Sequence, residues 1–133
     1  MAVRTTTKVT PIAGSSPSRN EVEVVVDNEG GGSGQFTADV FAQFDGSQLE
    51  ASSIGQGGVL SNIPNSRNKQ IKWSNKVIDW AGPPPPGTPI LVTVFDFIVQ
   101  CKTAGSHPVV SWAINTDIGQ TSPQSTADAA CAS

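Results

Sequence analysis

QFTADVFAQF, residues 35–44, carries an apolar side chain at every second position. Phe36, Ala38, Val40, Ala42 and Phe44 share one face, and Thr37, Asp39, Phe41 and Gln43 share the other. A period of two marks a strand that buries one face and shows the other to water. EVEVVVD (21–27) repeats the pattern, with Val22, Val24 and Val26 on one side. DNEGGGSG (27–34) lies between the two runs and is rich in residues that tolerate positive φ. The pair therefore reads as an antiparallel hairpin.

The rest of the chain punctuates in the same way. Val3, Thr5, Thr7 and Val9 alternate with Arg4, Thr6 and Lys8 until Pro11, which suits an edge strand or an extended arm. A short strand fits 58–63, followed by a turn at Ile63-Pro64-Asn65-Ser66. KQIKWS (69–74) points Ile71 and Trp73 inward, and KVIDW (76–80) points Ile78 and Trp80 inward, so these read as separate strands. ILVTVFDFIVQCK (90–102) is apolar on both faces, as a central strand would be, and VVSWAIN (109–115) reads as its partner across the TAGSHP turn, with Val110, Trp112 and Ile114 aligned. Four successive prolines (83–86) cannot lie inside a sheet, because each lacks the amide donor. They read as a stiff crossover into the central strand, the other reading being a polyproline ligand. No segment keeps a helical period over three turns. About seven strand candidates at this spacing predict an all-β fold: one antiparallel sandwich, Ig-like or jelly-roll-like, over residues 1–133. Extended arms are expected at 1–12 and 119–133, the latter a polar, small-residue tail.

Composition limits the chemistry. At 133 residues the chain can bury a self-sufficient core. A net charge of −3 offers no general attraction to nucleic acid, and no apolar run is long enough to span a bilayer. MAVRTTTKVTPIAGS has no apolar h-region, so it does not read as a secretory signal. Cys101 and Cys131 are the two cysteines, and either a disulfide or two free thiols is open.

Residues that could carry chemistry are few. His107 is the single histidine and precedes a proline in a turn, a poor start for a catalytic triad or a zinc site. Asp96 interrupts an apolar row, where a buried carboxylate needs a partner or a raised pKa. It reads as a structural aspartate, with a general acid as the alternative, and Asp39 and Asp79 are the carboxylates that would have to join it. Asp27, Asn28 and Glu29 offer hard oxygen ligands, but their spacing does not match a calcium loop, so a solvated turn is expected and no metal. Arg67, Lys69, Lys72 and Lys76 bracket Trp73, a pattern that single-stranded nucleic acid sites use, yet half of eight basic residues is a small patch on an acidic chain.

The segment VEVVVDNEGGGSGQFTADVFAQFDG (22–46) resembles the first hairpin of CARDB-like modules, the Ig-like cell-adhesion-related sandwiches of bacteria. Asn28 and Gly30 stand at the turn, Asp45-Gly46 closes the second strand, and KQIKW (69–73) matches a later strand ending in Trp. The resemblance implies a sandwich without catalytic residues. The function expected is a non-catalytic structural or interaction module. It would be an assembly subunit of a virion, tail or extracellular filament, or an adhesion-type sandwich, located extracellularly or on a virion surface. It would need no cofactor, and its partners would be proteins, first of all copies of itself. Val3 and Val9 would mark the assembly arm, with Val3→Asp and Val9→Asp blocking assembly in a folded monomer. The alternative is a glycan-binding sandwich that exposes Trp73, Trp80 or Trp112, and a third reading is an enzyme built on Asp96.

Overall fold

The computed structural model describes residues 2–29, 32–82 and 91–132. These residues form ten strands: β1 (Ala2–Pro11), β2 (Arg19–Glu29), β3 (Gly32–Asp45), β4 (Leu49–Ser52), β5 (Val59–Asn62), β6 (Asn68–Gly82), β7 (Thr93–Cys101), β8 (Gly105–Asn115), β9 (Gln120–Thr121) and β10 (Ser125–Cys131). One sheet has the order β1-β2-β7-β4 and the other β10-β8-β3-β6-β5, with β9 also on β8. All pairings are antiparallel. The fold is an all-β antiparallel sandwich, as the alternation predicts.

The inward rows meet between the sheets. Val22, Val24, Val26, Phe95, Phe97 and Val99 come from one side. Phe36, Ala38, Val40, Ala42, Phe44, Ile71, Trp73, Ile78 and Trp80 come from the other. Trp73 is the hub: its ring centroid lies 5.4 Å from that of Phe95 and 6.1 Å from that of Phe97. The loop after β4 roofs it. Trp73 Nε1 donates to the Gly55 carbonyl at 2.8 Å, and a Cβ at Gly58 would stand only 2.5 Å from that nitrogen. The indole therefore meets its hydrogen-bond demand while fully buried.

Several expectations are corrected. β2 and β3 are not a hairpin: β2 pairs with β1 and β7, and β3 with β6 and β8. Their inward rows face each other across the core, and alternation alone cannot separate two facing strands from two neighbouring ones. For the same reason β8 is not the partner of β7, which lies in the opposite sheet. The runs at 69–74 and 76–80 are one strand, β6, interrupted by a bulge. Ala38 faces Lys76 while Val40 faces Trp73, so Ser74 and Asn75 together oppose Asp39. Asn75 takes a left-handed φ of 53°, and its N–H donates to Asp39 Oδ1 at 2.9 Å. The extra residue resets the parity, so inward positions change from odd (Ile71, Trp73) to even (Ile78, Trp80).

Among the described residues, neither segment stands out from the sandwich as an arm. Residues 2–11 are β1, with Val3 only 1% exposed and Val9 partly buried against the core. Val3→Asp would therefore bury a carboxylate, so it cannot leave the monomer intact. Residues 120–131 are largely β9 and β10 on β8, in place of a loose tail. β7 is interior to its sheet, but only one of its faces is buried: Val94, Asp96, Ile98 and Gln100 are half-exposed. The proline run and Ile90 lie outside the described residues. The chain on either side of them meets: Ala81 and Leu91 exchange both backbone hydrogen bonds at 3.1 Å.

Candidate functional site

Alternation puts the outward residues of β8, β3 and β6 on one open face of the larger sheet. Phe41 faces Trp112 on β8 and Lys72 on β6, so the three form one cross-strand row. Phe41 and Trp112 are stacked, with centroids 5.2 Å apart and planes 9° from parallel. Lys72 Nζ lies 5.6 Å from the Phe41 centroid. An offset stack capped by an ammonium suits the ring quadrupole and fixes both rings without burying them. Val110 and Ile114 flank Trp112 on β8, and Val77, 58% exposed, extends the apolar surface on β6.

Carboxylates surround this centre. Asp39, Asp45 and Asp79 sit at outward positions of β3 and β6, and Asp128 at an outward position of β10 opposite Pro108. Asp39 accepts from Asn75, and Asp79 accepts from Gln35 Nε2. The Asp45 carboxyl is held below the ordinary aspartate range, first by the Ser47 hydroxyl and then by the Ser47 N–H. Lys72 supplies the positive charge at the centre.

The residues singled out from sequence fall as follows. Trp73 and Trp80 are 0% and 4% exposed, so neither can present a ring to a sugar. Trp112 is half-exposed and belongs to the aromatic row. Lys72 leans on Phe41 and not on Trp73, and Lys69 Nζ donates to Asn62 Oδ1, so the basic residues do not interleave with the buried indole. Asp39 and Asp79 face outward from one sheet and Asp96 outward from the other. A sandwich core about 10 Å thick keeps them from acting on one bond. The Asp96 backbone holds the loop after β4: its N–H donates to Gln56 Oε1 at 3.1 Å and its carbonyl accepts from Gly55 at 2.9 Å. Asp27 takes a two-pronged bond from Arg4 at 2.8 and 2.9 Å, which raises the Arg4 pKa further. Asn28 is buried, so these residues do not converge with Glu29 on a cation. His107 is buried, with Nε2 2.9 Å from both Thr103 Oγ1 and the Thr103 carbonyl. Cys101 and Cys131 are bonded, with Cα atoms 5.7 Å apart, and staple β7 of one sheet to β10 of the other.

Phe41 was not picked out from sequence as a site residue. Its signal was present: it is the one aromatic on the otherwise polar row of β3. A large apolar side chain on a water-facing row needs a reason.

No family model matches this chain, and no curated protein does. Among solved structures it is similar to a chain of a type I cohesin–dockerin complex from Clostridium thermocellum. That match has a TM-score of 0.52 at 10% identity, over 96% of this chain and 99% of that one. A second similarity is to a chain of a complex between a CaDoc0917 variant and CaCohA2, with a TM-score of 0.46 at 12% identity, over 94% and 97% of the two chains. The first likeness is one of fold: both chains are antiparallel β-sandwiches of this type.

Proposed function

We propose that this chain is a non-catalytic protein-interaction module that receives a protein partner on the outer face of the larger sheet. The observation that carries the reading is the Lys72–Phe41–Trp112 row, a preformed aromatic centre on a sheet face that no element of the described chain covers. Interfaces concentrate aromatic anchors at an apolar centre and leave charge to the rim. The sandwich of similar fold was solved in a cohesin–dockerin complex, which lends the same class of role to this one. The partner is a protein with an apolar centre and a Lys/Arg rim, because Asp39, Asp45, Asp79 and Asp128 surround the aromatic row. Two copies meeting through this face would set carboxylate rim against carboxylate rim, so the face takes a different protein. The Cys101–Cys131 bond fits an extracellular, oxidising site of action. A glycan reading is less well served, since the Phe41 ring is already engaged by Trp112 and Lys72.

The test is photocrosslinking from a benzophenone side chain at Val110 in medium conditioned by the source cells, followed by affinity measurements on the captured protein. Trp112→Ala should weaken that affinity about 30-fold or more, the scale of an interface anchor. Asp39→Lys with Asp79→Lys should also weaken it, and Glu50→Ala on the opposite sheet should not. A captured protein whose affinity ignores all the face substitutions would sink the proposal.

A further inference from the structure

We infer that β10 is an exchangeable strand, locked by the Cys101–Cys131 bond, and that once this bond is reduced two copies of the chain trade β10. β10 is the edge of the same sheet; Asp128 of β10 belongs to the rim of the aromatic row, but none of the bonds that hold the strand involves that row.

β10 has the sequence Ser125-Thr126-Ala127-Asp128-Ala129-Ala130-Cys131 and gives the core one fully buried apolar side chain, Ala129. Its backbone pairs with β8 from Ser125 opposite Ser111 to Cys131 opposite Gly105. Its other edge meets β1 through side chains. Thr7 Oγ1 donates to the Ser125 carbonyl at 2.8 Å, the Thr7 N–H donates to Ser125 Oγ at 3.0 Å, and Thr7 and Ser111 share a hydroxyl bond of 2.6 Å. At the far end Asn20 Nδ2 donates to the Ala130 carbonyl at 3.0 Å, and the Ala132 N–H donates to Ser18 Oγ at 3.2 Å. Asn20 Oδ1 is buried there without a partner, so the seam carries an unmet polar demand. A strand held this way lies at the low-stability end of a fold, because little apolar surface resists its opening.

A hinge precedes it. Thr121 faces Ile114 and Ser125 faces Ser111, so residues 122–124 stand against only Ala113 and Trp112. Pro123 has no N–H to give, and Ser122 holds the kink by bonding both the N–H and the carbonyl of Ala113. β9 can therefore stay on β8 while β10 swings.

While Cys131 is bonded to Cys101 of its own chain, β10 cannot leave. Reduction by a thiol changes that: two reductant thiols become one disulfide, and the sulfurs of Cys101 and Cys131 each gain an electron and a proton. The vacated edge of β8 then fits one occupant without any new contact, the β10 of a second copy, which repeats every bond in trans. Reoxidation returns the electrons and protons to an oxidised thiol pair and closes Cys131 of one copy onto Cys101 of the other. Cys101 is buried beneath β10, so that bond forms only where β10 has left its own chain.

The experiment mixes a Cys101→Ser chain with a Cys131→Ser chain in a glutathione redox buffer, with peptide mapping of the products. A heterodimer joined between Cys131 of the first and Cys101 of the second is expected, growing with concentration. Folded variants that give no dimer, or only Cys131–Cys131 dimers, would overturn the inference. Should either variant fail to fold, hydrogen exchange on the unaltered chain decides. With dithiothreitol, amides of β10 and of residues 105–111 should exchange about tenfold or more faster while β3 and β6 keep their protection. Unchanged protection of β10 would equally overturn it.

Discussion

β6 and β10 belong to the same sheet, yet different forces keep them there. β6 sends Ile71, Trp73, Ile78 and Trp80 into the core and is paired on both edges, by β3 and β5. β10 sends in Ala129, is paired on one edge by β8, and depends on hydroxyls, one asparagine and a disulfide for the rest. Apolar burial is non-directional and resists every opening motion. Hydrogen bonds and a covalent staple act at particular atoms and fail when those atoms are changed. One sheet thus joins a strand that the fold cannot lose to a strand that it can.

The sharpest way to break this comparison is Trp73→Ala. Its burial against Phe95 and Phe97 predicts a loss of about 3–5 kcal/mol, read as a lower urea midpoint for the whole molecule. A loss under about 1 kcal/mol would mean that the hub is not where the stability lies. Next in size is the disulfide. Its partners are 30 residues apart, and closing such a loop stabilises by about 3.6 kcal/mol. Cys101→Ser with Cys131→Ser should show that loss, with hydrogen exchange rising first in β10. Uniform acceleration across β3 and β6 would erase the distinction between the two strands.

Smaller again is the seam. Thr7→Val leaves the Ser125 carbonyl and the Ser111 hydroxyl without their partner and should cost about 1 kcal/mol, a typical hydrogen-bond value. Its signature is selective: β10 amides exchange faster and β6 amides do not. Equal effects on both strands would argue that β1 supports the sheet as a whole.

The same contrast explains how much could be read from the chain. β2, β3 and β7 announced themselves because each buries three or more apolar side chains at alternate positions. β8 was legible through its other row: Val110, Trp112 and Ile114 alternate clearly, but they face outward, and the buried row is the plainer Val109, Ser111 and Ala113. β10 was not legible, because Ala127, Ala129 and Cys131 are small and its order comes from bonds with Thr7, Asn20 and Cys101, distant in sequence. β6 was legible in two halves, since the Ser74–Asn75 bulge reverses which parity faces inward and no local pattern spans it. Strand pairing was the least legible of all. Val22 and Val40 look alike in sequence, and only the closed sandwich puts them in opposite sheets. For the outer face, Trp112 was among three candidates, and only geometry separated it from Trp73 and Trp80. Phe41 joins it because β3 is the strand between β8 and β6, a fact of topology and not of spacing.

The smallest effect concerns the end of β3, where neither burial nor the seam acts. Asp45 accepts from Ser47 Oγ at 2.6 Å and from the Ser47 N–H at 2.8 Å, and the hydroxyl is the larger cause of its lowered pKa. Both bonds favour the charged carboxylate. A carboxyl whose folded pKa is depressed adds stability that is present above its unfolded pKa and lost as pH falls through the folded one. Ser47→Ala removes the hydroxyl and keeps the backbone bond, so the Asp45 titration followed by carboxyl-carbon NMR should move up while staying below the ordinary aspartate value. Ser47 is exposed, so protection of β6 and β10 should not change at neutral pH. If Ser47→Ala loosened β10 as well, the turn and the seam would be coupled, and the two strands would share more than their sheet.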